Sequence, residues 1–255
     1  MYKRRYDKSW NFKEDSMNEL NHLIHPYPAM MMPLIARRVL EKYGNGFDTS
    51  ILDPYMGSGT TIVEAIRYGA KEVYGFDLNP LAILISKSKS TKFDINKLES
   101  DIKRFNSHVE LFDSSATITD VSTDFSIRDS WFREKNSIEL DYIKDFINTL
   151  DGASKLFFNV SFSHTVRRVS FTRNGEFKLY RIPENKRASH NPNSFSEMST
   201  ILLNNLSLVK NSQNHLNYAT EVNIFLENSI DIIKRDEYQN RFNLVVTSPP
   251  YGDSR

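Results

Sequence analysis

At 255 residues the chain is long enough to bury a full core, either as one large α/β domain or as one domain carrying an insertion. It contains no cysteine, which excludes a disulfide framework, a thiolate metal site and a cysteine nucleophile anywhere in these residues. With a formal net charge of +1, any surface for a polyanion must be local.

Residues 1–20 open on a basic and aromatic segment, YKRRYDKSW, unlike a secretory signal, and no apolar run in the chain approaches the roughly 18 residues a membrane helix needs. A cytoplasmic location is expected. The segment is either an arm packed on its own domain or a strip that touches phosphates and stacks on a base. His25-Pro26-Tyr27-Pro28-Ala29 is a rigid turn, because two prolines fix φ and keep their predecessors extended. His25 has no second ligand at a useful spacing, so it reads as a surface or capping histidine, and no metal is expected. A helix follows from Pro33 through Leu40, ended by Gly44 and Gly46.

The stretch from Ile51 to Asp77, ILDPYMGSGTTIVEAIRYGAKEVYGFD, is predicted to organise the chain. A short apolar strand ends at Asp53, the backbone turns through Pro54 to Gly59, and Thr60 to Ile66 has the spacing of a helix with one apolar face. Gly57 and Gly59 allow positive φ and close approach of a ligand to the backbone. A second strand, Val73 to Phe76, ends in Asp77, so two carboxylates stand at the ends of two strands, as in sheets that offer an acid to a ribose. The third glycine of a dinucleotide fingerprint is missing. Asn79 and Pro80 start a further helix, Leu81 to Lys89, and Phe76 or Leu78 either covers one face of a purine or belongs to the core.

From about Thr91 to Asn217 the αβ rhythm lapses. Residues 91–112 and 138–150 read as helix, 113–130 as loop, Leu156 to Val160 as a strand or buried connector, and 194–210 as helix. Between Ser161 and His190 lie Arg167, Arg168, Arg173, Lys178, Arg181, Lys186 and Arg187 against only Glu176 and Glu184, with Phe162, Phe171, Phe177 and Tyr180 interleaved. This is either a nucleic-acid surface or a solvated loop with hydrophobic anchors. The rhythm returns with a strand at Val222 to Leu226, a turn at Glu227-Asn228-Ser229, a helical piece from Ile230 to Arg235, and a strand from Phe242 to Val246 that runs into Thr247-Ser248-Pro249-Pro250-Tyr251. Three regions are expected: 1–90, an arm and a cofactor-binding half; 91–217, an insertion; and 218–255, a return to the first domain. The Pro-Pro turn is suited to gripping a planar amino group, with the Pro249 carbonyl and Ser248 hydroxyl as acceptors and the Tyr251 ring stacked on a base.

Taken together, DPYMGSGTT and TSPPYGDSR resemble the S-adenosylmethionine-dependent amino-methyltransferases of DNA, specifically the cytosine-N4 type of restriction-modification systems. The resemblance covers His25 to Ala36, Ile51 to Ser86 and Glu221 to Gly252. It implies a Rossmann-like α/β methyltransferase sheet with a long insertion. It further implies S-adenosylmethionine as cofactor, with Asp53, Gly57 and Gly59 at its methionine part, Asp77 at the ribose hydroxyls, and Tyr55, Thr60, Thr61, Leu78 and Asn79 among the other cofactor-binding residues. Asn228 and Ser229 would lie near the adenine, and His25, Tyr27 and Pro28 in a segment closing over the methionine end. Ser248, Pro249, Pro250 and Tyr251 would form the catalytic turn acting on a base flipped out of duplex DNA. Serine before PPY favours cytosine N4 over adenine N6, and direct transfer suits a chain without cysteine. Adenine-N6 methylation, RNA amino-group methylation and a non-catalytic DNA-binding subunit stand as alternatives. Relatives of this kind continue past the catalytic turn, so the sheet is expected to be incomplete at its C-terminal side and completed by a second polypeptide, unless the chain is a truncated product or a fragment.

Overall fold

The computed structural model describes residues 7, 10–12, 20–28, 30–113, 128–173, 180–232 and 234–249. Backbone contacts divide the chain into two units, one of Met1–His22, Met30–Ser90 and Ser212–Arg255, the other of Leu23–Ala29 and Thr91–Asn211.

The first unit is built on a parallel sheet of β1 (Ser50–Asp53), β2 (Glu72–Asp77), β3 (Glu221–Leu226) and β4 (Leu244–Val245) in the order β3-β2-β1-β4. Helices α1 (Pro33–Tyr43), α2 (Thr60–Tyr68) and α3 (Pro80–Ser90) belong to the same unit. Side chains alternate across the strands. Ile51 and Val73 join Leu40, Ile62, Val63, Ile66 and Ile83 in one cluster, while Leu52, Tyr74 and Phe76 join Ile232 in another, flanked by Phe225, Tyr238 and Phe242. Both central strands are therefore apolar on both faces, which is what a parallel sheet wedged between two layers requires. Phe76 stacks on Phe225 at 5.1 Å. Helix α2 stops at Gly69, whose φ of +77° provides the left-handed cap that accompanies N–H bonds to the Ala65 and Ile66 carbonyls.

Glu64 of α2 ties this unit together from a fully buried position. Its carboxylate contacts His22 Nε2 at 2.9 Å and accepts from Arg37 Nε at 3.0 Å and Arg67 Nε at 2.8 Å. Burial pushes its pKa up, but the hydrogen bonds and charge of His22 and Arg37 outweigh that and hold it down at about 2.

The second unit is helical. It contains α4 (Ile95–Glu110), α5 (Arg128–Trp131), α6 (Glu134–Asn148), α7 (Gly152–Val169), α8 (Glu184–Arg187) and α9 (Ser194–Gln213). Phe105 packs edge-on against Phe146 and Phe158, and Phe93 against Phe157, around which Ile143, Met198 and Leu202 are buried. The strand expected at Leu156 to Val160 is instead the middle of α7. Periodicity does not separate a short apolar run in a strand from one in a buried helix. Here the Ser161 hydroxyl bonds the Phe157 carbonyl at 3.0 Å and Thr165 bonds the Ser161 carbonyl at 2.9 Å, so residues unfavourable in helices are satisfied within one. The remaining elements complete the first unit: β3, α10 (Ser229–Ile232) and β4.

Candidate cofactor and catalytic edge of the sheet

Strand β1 pairs with β2 on one side and β4 on the other, so the chain reverses its winding direction beside β1. The carboxyl ends of strands at such a point form the crevice where open α/β sheets bind ligands. Asp53 ends β1 and is 1% exposed. Burial pushes its pKa up to about 6, which the Thr61 and Thr247 hydroxyls and the Tyr55 N–H partly oppose and the charge of Asp77 reinforces. Tyr55 N donates to Asp53 Oδ1 at 3.2 Å, and its ring is on the surface.

The turn after Asp53 is fastened to β2. Met56 N donates to the Phe76 carbonyl at 3.1 Å, and Gly57 N to Asp77 Oδ2 at 2.9 Å. Asp77 Oδ1 accepts from Asn79 N at 2.8 Å, while Asn79 Oδ1 accepts from Leu81 N in the first turn of α3. Each Asp77 oxygen thus retains a lone pair for a further donor. Gly57 and Gly59 have φ of +51° and +79°, and Gly59 caps α2 ahead of the buried Thr60 and Thr61. Thr60 Oγ1 bonds the Met31 carbonyl at 3.3 Å. Leu78 is 69% exposed at this edge, so of the two positions for that residue, cover or core, it is not core.

The chain leaves β4 on the same edge. Val246 N donates to the Leu52 carbonyl at 3.0 Å, and Thr61 Oγ1 to the Val246 carbonyl at 3.5 Å. Ser248 and Pro249 follow, both exposed. Pro250 and Tyr251 lie outside the described residues, as does Lys178. Thr247, named in the sequence only as the first residue of the Pro-Pro turn, links the strand to that turn. Asn228 follows β3 and accepts from Ile230 N at 3.1 Å, with Ser229 buried at the start of α10.

His25, Tyr27 and Pro28 belong to the second unit. The His25 ring is buried 5.6 Å from that of His164, so the expected surface histidine is an interior one. Burial, with Arg168 nearby, pushes His164 down to about 4.

The basic stretch is not a continuous loop. Arg167 and Arg168 occupy the last turn of α7, where cations complement the helix dipole, and Arg168 pairs with Glu197 at 3.1 Å. Arg181 lies 5.4 Å over the Trp131 ring, and Arg187 lies 5.5 Å over Phe171 while donating to the Ile182 carbonyl. Arg173 N bonds the Tyr180 carbonyl, and Lys186 is exposed on α8. Arg133, which lies outside that stretch, organises it by donating to the carbonyls of Arg187, Ala188 and His190 at 2.6–2.7 Å.

No protein-family model matches the chain, and no solved structure matches it. Among curated proteins it is 37% identical to the Type II methyltransferase M.MvaI of Kocuria varians, over 96% of this chain and 56% of that protein. It is 24% identical to the Type II methyltransferase M.BsoBI of Geobacillus stearothermophilus, over 85% of this chain and 46% of that protein. A segment of 95 residues is 36% identical to the Type II methyltransferase M.MjaII of Methanocaldococcus jannaschii. The chain spans about half the length of the first and second of these relatives. Along nearly its whole length it resembles the Type II DNA methyltransferases of restriction-modification systems.

Proposed function

We propose that this chain carries the cofactor and acceptor sites of a methyltransferase that acts on the exocyclic N4 amino group of cytosine in duplex DNA, with S-adenosylmethionine as cofactor. The observation that carries the reading is the meeting of two distant motifs at one sheet edge: Thr61, in the helix that opens on the glycine turn, donates from Oγ1 to the carbonyl of Val246, two residues before Ser248 of the Ser-Pro-Pro turn, at 3.5 Å. Two features fit the cofactor. Asp53 is a buried carboxylate whose ionised form a ligand cation would stabilise, and Gly57 and Gly59 both take positive φ, the backbone that lets the chain turn tightly at the strand end. When bound, the cofactor supplies an electrophilic methyl on sulfonium.

In this reading Asp53 and the Gly57–Thr61 turn hold the methionine part. Asp77, with lone pairs to spare, takes the ribose hydroxyls, Leu78 and Asn79 flank it, and Asn228 and Ser229 line the adenine side. Ser248 and the Pro249 carbonyl accept from the target amine, which localises its lone pair for in-line attack, while Tyr251 stacks on the flipped base. The helical insertion contacts DNA. Arg167, Arg168, Arg173, Lys178, Arg181, Lys186 and Arg187 are the candidates for those contacts. A cytoplasmic location belongs to the proposal as well, supported by the absence among the described residues of any helix long and apolar enough to cross a membrane.

The test is transfer of label from S-adenosylmethionine to duplex DNA, by the chain alone and with the product of the adjoining reading frame, followed by hydrolysis to nucleosides. N4-methylcytosine is expected. N6-methyladenine overturns the choice of base, and no transfer in either arm overturns the function.

A further inference from the structure

Ser86 lies on α3, outside both motifs, and is fully buried. Serine inside a helix ordinarily turns its hydroxyl back on the preceding turn of its own helix. Ser90 does so, bonding the Ser86 carbonyl at 2.9 Å. The Ser86 hydroxyl instead donates across to the Gly57 carbonyl at 3.0 Å. The same side chain also lies against Gly59: a Cβ added there would come within 2.6 Å of Ser86 Oγ and 2.9 Å of Ser86 Cβ. A single side chain therefore touches both glycines of the turn.

A trans peptide points its N–H opposite to its C=O. Because α3 holds the Gly57 carbonyl, the Ser58 N–H in the same peptide group is aimed away from α3, and among the described residues no group accepts it. On the other side of Gly57, the Met56–Gly57 peptide is fixed by the bond from Gly57 N to Asp77. We propose that Ser86 is a positioning residue for the cofactor turn: it sets the plane of the Gly57–Ser58 peptide, presents the Ser58 N–H to an acceptor on the ligand, and limits position 59 to glycine. The proposal rests on the reading of this turn as the S-adenosylmethionine site.

Equilibrium binding of labelled S-adenosylmethionine to the purified 255-residue chain tests it, with Ser86→Ala and Ser88→Ala compared and ligand-free thermal melts recorded for each. Ser88 is the control because it is buried on the same helix and its hydroxyl has no hydrogen-bond partner among the described residues. Ser86→Ala is expected to raise Kd about five- to tenfold, the effect of losing one buried hydrogen bond, and Ser88→Ala to leave it within about twofold. In turnover KM for the cofactor should rise while kcat is kept. Unchanged Kd in Ser86→Ala, or equal losses in the two variants, overturns the role of Ser86 and leaves the cofactor site standing. A wild-type chain that melts cooperatively yet binds no cofactor overturns the site, and the role of Ser86 falls with it.

Discussion

Asp53 illustrates how a single carboxylate can be costly for the fold and useful for the ligand. Its pKa in the folded chain is raised to about 6 from 3.8, so the fold resists its ionisation. The sign follows: the protein gives up stability as pH rises from about 4 through 6, where the unfolded chain loses this proton before the folded one. A ligand cation reverses the preference. Cofactor affinity is therefore expected to fall as pH is lowered through about 6, with protons released on binding near that pH. Titration calorimetry in two buffers of different ionisation enthalpy checks both points, and Asp53→Asn should bind weakly and lose the pH dependence. Lys89 is the opposite case. Its ammonium is buried without a partner among the described residues, and burial pushes its pKa down to about 7. Because that pKa is depressed, the cost is full below about pH 7 and fades toward the unfolded value of 10.5. Lys89→Met should stabilise the neutral-pH protein, on the order of 1–3 kcal/mol by urea denaturation.

Among the elements, α2 does most to hold the site edge in place, through Gly59 and Thr61 at its start and Glu64 in its middle. Removing the Glu64 carboxylate leaves His22, Arg37 and Arg67 without their shared acceptor, and Glu64→Ala is expected to cost roughly 3–5 kcal/mol in chemical denaturation. Because its folded pKa is depressed, its contribution is complete above the unfolded value of 4.5 and is lost as pH falls toward about 2. The sheet's strands and their helices were legible in the sequence because β1 and β2 carry short apolar pieces, Ile51-Leu52 and Val73-Tyr74, set beside glycines and each followed by a helical pattern. The helix α7 was not, since its apolar stretch is short and its serines and threonine are satisfied by bonds no local pattern reveals. Charge counting located the basic segment but not the direction of its side chains: stacking of Arg181 on Trp131 depends on a helix some fifty residues earlier in the chain. Thr247 and Ser86 were hidden for the same reason, because each matters only through what a distant strand or helix brings beside it.

For the molecule as a whole, the strand order sets the timing of assembly. The neighbour of β1 on one side, β2, follows it directly, but on the other side Ser50 is met by Asn243, 193 residues later. Between them the ribosome must make the entire helical unit. At about 5–20 residues per second, that leaves one edge of β1 without its partner for roughly 10 to 40 s. The glycine turn can form early, from contacts within a stretch of some thirty residues. The Ser-Pro-Pro turn acquires its place only when β4 docks, so during synthesis the proposed cofactor edge is partly built before the proposed acceptor turn joins it. The pairing of β1 with β4 is thus of far higher sequence separation than that of β1 with β2, and contacts of that kind form more slowly.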